Sequence, residues 1–165
     1  MLASKGLLPE KSVGKWRAPP KDNMLPRASG GEIILFKAFI GRGLALPTSK
    51  FFCYLLYFYG LIVNHLTPIG VLHISIFVYL CETFLGICPS INLLMYFFWV
   101  KCQPSDMTVH AVGGAGIQLR IETKKEYLEY NLLESVRNWQ HEWFYMENHL
   151  PTLIKHTGWP PKEGE

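Results

Sequence analysis

Residues 39–101 read FIGRGLALPTSKFFCYLLYFYGLIVNHLTPIGVLHISIFVYLCETFLGICPSINLLMYFFWVK. From Gly43 to Val100 this stretch carries only two formal charges, Lys50 and Glu82. Such a run forms either the buried core of a folded domain or a set of membrane spans, because both environments exclude unpaired charge. That choice governs what the rest of the chain can do, and we take the folded domain as the leading interpretation.

The length and the charge distribution describe a single domain with an uneven surface. A chain of 165 residues has room for one domain and a tail. Residues 1–32 hold six Lys or Arg against three Asp or Glu, whereas residues 103–165 hold six against nine. A basic front and an acidic back suit contact with nucleic acid or a membrane surface, but the Lys and Arg residues are not clustered, which favours ordinary solvated faces.

The four cysteines indicate a reducing compartment. They contain no Cys-x-x-Cys pair, and Cys53, Cys81 and Cys88 lie in apolar segments, where a free thiol behaves as a small hydrophobic group. Residues 1–30 also lack the apolar region of a secretory signal. We therefore expect free thiols and an intracellular location, nuclear or cytoplasmic, with a membrane as the second possibility.

The chain divides into an arm, a domain and a short tail. Residues 1–31 are rich in Lys, Pro, Gly and Ser and predict a flexible basic arm that the fold does not need. Residues 32–161 form the predicted single domain, and residues 162–165 form the tail. The first part of the domain, residues 32–40, is apolar enough to dock as a strand or as a first helical turn.

Boundary residues predict three helices, at about 48–59, 68–86 and 90–101. Ser or Thr precedes each helix as an N-cap, Pro68 occupies the first helical position of the second, and Gly or Pro follows the first two. The second helix is apolar nearly all round, which is typical of a central buried helix or a membrane span.

Beyond Pro104 the pattern changes to short β-prone runs. Two of them, at 107–112 and 116–121, flank Gly113 and Gly114 and predict a hairpin. Further elements are expected as strands at 127–132 and 143–146 and as one or two helical turns at 134–140. The predicted fold class is α+β: a three-helix N-terminal apolar core followed by a small antiparallel sheet.

An ordered set of short motifs resembles a known family. The motifs are WRAP at 16–19, GRGLALP at 41–47, YGL at 59–61, HLTP at 65–68, LHI at 72–74, FVYLCETFLGI at 77–87, VGG at 112–114, Ser135, Trp139, EWFY at 142–145 and Asn148. In this order they are similar to the gypsy-type transposon (transposase-like) domain of proteins encoded by plant, in particular grass, transposable elements. The resemblance covers residues 16–161.

The resemblance implies a transposable-element-derived protein without an established enzymatic activity, and it implies no transposase active site. It also implies a truncated copy, because members of the family continue past the segment that corresponds to Trp159, whereas this chain ends at Glu165. We expect an interaction or assembly module, with self-association, nucleic acid and a membrane left open as partners.

The residues that could bind a metal or act in catalysis lack the spacing that such sites need. Zinc sites pair ligands two to four residues apart, and no such pair occurs among His65, His73, Cys81, Cys88, Cys102 and His110. Two-metal catalysis needs converging carboxylates, and the apolar half of the chain offers only Glu82. We therefore expect no enzymatic activity, no catalytic residue, no bound metal and no cofactor.

Glu82 stands out because it interrupts an apolar helix. A buried carboxylate without a partner is costly, so we expect Glu82 to be mostly buried and paired with Arg42 or Arg120, which flank the apolar stretch. A structural ion pair is the favoured interpretation over a catalytic acid.

Three other functions stay open. The first is a nucleic-acid-binding module that contacts phosphates through Lys11, Lys15, Arg17, Lys21 and Arg27. The second is a membrane protein with a span near residues 69–87, whose 19 residues are long enough for the hydrocarbon layer. The third is a vestigial product without function.

Overall fold

The computed structural model describes residue 6 and residues 15–20, 28–103, 108–128 and 136–148. Its strands are β1 Trp16–Arg17, β2 Glu32–Phe36, β3 Phe98–Cys102, β4 Ala115–Leu119 and β5 Trp143–Glu147. Its helices are α1 Lys37–Gly41, α2 Lys50–Phe58, α3 Pro68–Tyr79 with a π-helical continuation over Leu80–Leu85, and α4 Ile91–Phe97. This mixture of helices with small antiparallel sheets confirms the α+β class.

The three predicted helices begin where their caps predicted. The hydroxyl of Ser49 accepts a hydrogen bond from the Phe52 N–H, and those of Thr67 and Ser90 accept from the amides three residues on. Each cap satisfies one backbone donor that would otherwise lack a partner at a helix start. The caps explain why short local patterns were enough to place these helix starts.

α3 ends in an altered turn. After Tyr79 the backbone widens into the π-helical turn and stops at Gly86, which has φ +62°. The Ile87 N–H donates to the Cys81 carbonyl oxygen across this left-handed residue, which satisfies a carbonyl at the helix end. The predicted end of the second helix at residue 86 is therefore confirmed.

The first sheet joins the two ends of the described chain. β5 lies in the middle and pairs antiparallel with β1 and with β2, so that Tyr145 is opposite Arg17 on one side and Ile34 on the other. β5 confirms the strand predicted at 143–146. The prediction of a flexible arm is wrong for Trp16 and Arg17, because they form β1. Residues 1–5, 7–14 and 21–27 of that arm lie outside the described residues.

The second sheet corrects two predictions. The third helix ends at Phe97, and the next five residues form β3, which pairs antiparallel with β4. The helix predicted to 101 and the hairpin between 107–112 and 116–121 are therefore wrong. Side chains along β3 alternate between a more buried and an exposed face. This period of two is hard to recognise in the sequence, because four of the five residues are apolar.

The segment between the second sheet and β5 also differs from the prediction. Tyr127 and Leu128 are not in a strand, and the remainder of the strand predicted at 127–132 lies outside the described residues. Of the helical turns predicted at 134–140, the described residues contain one short 3₁₀ turn, Trp139–His141. Residues 149–165, with the predicted tail, are outside the described part.

The core draws on both sheets as well as on the helices. Fully buried side chains include Leu35 of β2, Leu55 of α2, Phe98 of β3 and Ile117 of β4. The expected three-helix N-terminal core is therefore not confirmed. Gly70 lets α3 approach β4 closely, because a Cβ there would lie 3.3 Å from the Ile117 nitrogen.

Candidate interaction surface

α3 and its π-helical turn present two apolar faces. One face is buried in the core and carries Val71, Ile74, Phe77 and Cys81. The opposite face, which we call the outer α3 surface, consists of Leu72, Ile76, Tyr79, Leu80 and Phe84. Tyr79 is 59% exposed and Phe84 is 71% exposed. This surface was not predicted from the sequence, although the lack of any polar face on the helix was a signal for it.

Two shallow clefts lie at the outer α3 surface, one on it and one beside it. A cleft of about 290 Å³, the Arg42 cleft, is lined by Arg42, Leu72, Ile76, Leu80, Phe84 and Leu128. A second cleft of about 170 Å³, the Glu82 cleft, is lined by Glu82, Leu44, Phe52 and Val78 among others. Gly43, Ser75 and Tyr79 line both clefts and form the ridge between them. Arg42 and Glu82 therefore lie on opposite sides of this ridge, each at the margin of an apolar cleft.

The ridge is held by a close approach of the loop after α1 to α3. The Ser75 Oγ lies 3.1 Å from the Gly43 carbonyl oxygen and 2.9 Å from the Val71 carbonyl oxygen, and donates toward both. Gly43 has φ +93°, and a Cβ there would lie 3.0 Å from the Ser75 side chain. Only glycine suits this position, so the loop that carries Arg42 is fixed against the helix.

Glu82 is exposed, so the prediction that it is mostly buried is wrong. Arg120 instead donates from its Nε to the Met95 carbonyl oxygen at 2.8 Å. Among the described residues neither Arg42 nor Arg120 forms an ion pair with Glu82. The physical reason is that the helix leaves the core after Cys81, and an apolar sequence around a carboxylate does not by itself bury it.

The basic residues of the arm are engaged in the first sheet where the structure describes them. The Arg17 guanidinium binds both carboxylate oxygens of Glu32, at 2.6 and 2.7 Å, and lies 3.9 Å from the centre of the Tyr145 ring. Hydrogen bonds from Arg17 and then from Ser29 lower the pKa of Glu32 to about 2. Lys15 lies 3.7 Å from Glu147. Three further candidates for nucleic-acid contact, Lys11, Lys21 and Arg27, lie outside the described residues.

The histidines and cysteines considered as metal ligands do not converge. His65 and His110 stack edge to face with ring centres 5.3 Å apart, and the His65 Nδ1 accepts from the Ile62 N–H. His73 packs against Phe98 instead, and burial lowers its pKa to about 4. Within the described residues no three His, Cys, Asp or Glu side chains lie close enough to hold a metal ion together.

One helix passes a length and composition test for a membrane span. It covers Pro68–Leu85, 18 residues with a mean hydropathy of 1.7, and 33% of them are buried inside the protein. A core helix of a folded protein meets the same composition test but is mostly buried. The outer α3 surface accounts for the difference.

Comparison with known families identifies a similar one. The family described as "Putative gypsy type transposon" matches residues 33–102. The resemblance seen in the sequence is thereby confirmed for the segment from β2 to β3, which contains Arg42, Glu82 and all of α3. A search of curated proteins found no match, and a search of solved structures found none either. The segment 33–102 is thus similar to this transposon family, and it contains the outer α3 surface.

Proposed function

We propose that this chain is a non-enzymatic interaction or assembly module of a transposable-element-derived protein, acting inside the cell through the outer α3 surface. The observation that carries the proposal is the exposure of large apolar side chains along a helix only one-third buried. Contiguous apolar surface is uncommon on monomers and marks a site that a partner covers.

The composition of the surface supports protein contact. Moving an exposed Phe or Leu side chain out of water contributes about 1.5–3 kcal/mol, from which the costs of association are subtracted. Tyr and Phe are enriched at interface centres, and here Tyr79 forms the ridge while Phe84 lines a cleft beside it. Among the described residues that line the two clefts, the charged ones are Arg42 and Glu82, one in each cleft. Charged groups beside apolar surface are typical of an interface rim.

The non-enzymatic part of the proposal is supported by three described carboxylates that bind three separate partners. Glu32 binds Arg17, Glu142 binds Lys37 at 2.9 Å, and Glu126 accepts from the Tyr96 hydroxyl at 2.7 Å. General acid–base or metal-assisted chemistry needs two such groups directed at one reacting atom.

A photo-crosslinking experiment tests the proposal. p-Benzoylphenylalanine is placed at position 84, in the outer α3 surface, or at position 121, where Ile121 is 86% exposed outside it. We expect irradiation of cells expressing the full chain to give protein adducts from position 84 and few from position 121. Equal adduct yields at the two positions, or adducts with lipid alone at position 84, would refute the proposal.

Membrane association is the second candidate, and the exposed apolar helix Pro68–Leu85 is the observation that favours it. Its test is fractionation of the expressed chain, followed by an alkaline carbonate wash of the membrane pellet. An inserted helix stays with the lipid after the wash, whereas a soluble interaction module is recovered in the supernatant.

A further inference from the structure

We infer that the outer α3 surface binds a second copy of this chain in a twofold-symmetric dimer, in which Arg42 of each protomer faces the partner's Glu82. The inference rests on the proposed function and names its partner. It is carried by the charges at the two margins of the surface and by their places relative to the ridge.

The two charges are complementary and available. Between Gly43 and Val100 the only charged residues are Lys50 and Glu82, and Arg42 directly precedes this stretch. Arg42 lines one cleft and Glu82 the other, with the ridge of Gly43, Ser75 and Tyr79 between them. Within the described residues neither Arg42 nor Glu82 has an ion-pair partner.

A twofold axis through the ridge turns this arrangement into a self-complementary interface. In an isologous contact, residue i of one protomer meets residue j of its partner, and j meets i. The twofold rotation therefore brings the basic margin of each protomer against the acidic margin of the other. Antiparallel packing of the two α3 helices places Ile76 and Tyr79 of both copies near the axis and forms two ion pairs at the rim.

The same charges disfavour other occupants. A membrane would have to accept Glu82 beside the apolar ridge, at a desolvation cost that a partner's guanidinium offsets. Among the described residues that line the two clefts, a nucleic acid would meet a single cation, Arg42, and the Glu82 carboxylate would repel its phosphates. A second copy satisfies both charges and covers the apolar side chains together.

The test is a charge-reversal cycle on the purified full chain, followed by sedimentation velocity at micromolar concentrations. Arg42→Glu and Glu82→Arg each place like charges across the axis, and we expect each to weaken dimerisation about tenfold or more. Mixing the two variants restores both opposite-charge contacts in a heterodimer, and the double variant restores them in a homodimer. Arg137→Glu and Glu122→Arg, at exposed residues outside the surface, should leave dimerisation unchanged.

Each outcome decides the inference. Recovery in the mixture supports it directly, because a folding defect in one variant cannot be repaired by adding the other. A monomeric wild-type chain, or a mixture no more associated than its components, would overturn it. Binding to phosphatidylcholine vesicles by a monomeric chain would overturn it in favour of a lipid contact. Protein adducts at position 84 with a different protein, from a monomeric chain, would overturn the dimer and leave the proposed function standing.

Discussion

The guanidinium of Arg17 on β1 reaches past the middle strand of the first sheet to bind both carboxylate oxygens of Glu32 on β2. It covers the Tyr145 ring on the way, with 3.9 Å between the guanidinium carbon and the ring centre. One side chain therefore links all three strands of a sheet built from both ends of the described chain. The N-terminal segment belongs to the fold at this point, although its composition resembles that of a flexible arm.

We expect Arg17→Ala to lower the melting temperature measurably, because it removes a two-point ion pair and a ring contact together. Lys15→Ala is the matched control, since Lys15 makes one 3.7 Å contact from a largely exposed position. Thermal unfolding followed by circular dichroism measures both. A larger effect of Lys15→Ala would contradict the role assigned to Arg17.

Deletion of residues 1–20 removes β1 and should also lower the melting temperature. Deletion of residues 1–14 leaves β1 in place and serves as its control. If both truncations melt at the temperature of the full chain, β1 contributes nothing to stability.

The Glu32 carboxylate predicts a dependence of stability on acid. Its pKa falls from 4.5 to about 2 on folding, because Arg17 and Ser29 bond the charged form. A depressed pKa in the folded state adds stability above the unfolded-state value, and that stability is lost as the pH falls from 4.5 toward 2. The difference in unfolding free energy between wild type and Glu32→Gln should therefore shrink across that window. A constant difference across it would show that Glu32 is not titrating in this way.

Gly43→Ala should destabilise the fold by about 1–3 kcal/mol. The new Cβ would stand 3.0 Å from the Ser75 side chain, on a backbone with φ +93°. Gly41→Ala is the matched control, because no atom lies within 4 Å of its Cβ position. Chemical denaturation compares the two variants, and equal losses would contradict a specific contact between Gly43 and Ser75.

The two faces of α3 predict different costs for the same truncation. Ile74 is 1% exposed and faces the core, so Ile74→Ala should cost about 2–5 kcal/mol of folding stability. Ile76→Ala lies on the outer α3 surface and should cost clearly less in dilute solution, where association does not contribute. Denaturant titration at low protein concentration measures both costs. Similar losses would mean that both faces are equally buried.

The starts of three helices, the α+β class and the resemblance to a transposon family could be predicted from the sequence. Ser49, Thr67 and Ser90 each bond a backbone amide three residues on, so that the signal and its structural effect lie within one turn. The family match covers 33–102, where the quoted motifs from GRGLALP to FVYLCETFLGI lie. The apolar composition of α3 also showed that the helix lacks a polar face, but not which of its sides the core would cover.

Only the tertiary structure decided which strands pair with each other. β3 is a strand because β4 supplies its hydrogen bonds. β1 is a strand because it pairs with β5, although more than 120 residues separate the two in the sequence. Glu82 is exposed because the helix extends beyond the core after Cys81. The sequence by itself determined where α2, α3 and α4 begin and that the chain holds an apolar stretch of domain length, since those properties depend on neighbouring residues. Strand partners, the outer α3 surface and the charges at its margins depend on contacts distant in sequence, and these exist only once the chain has folded.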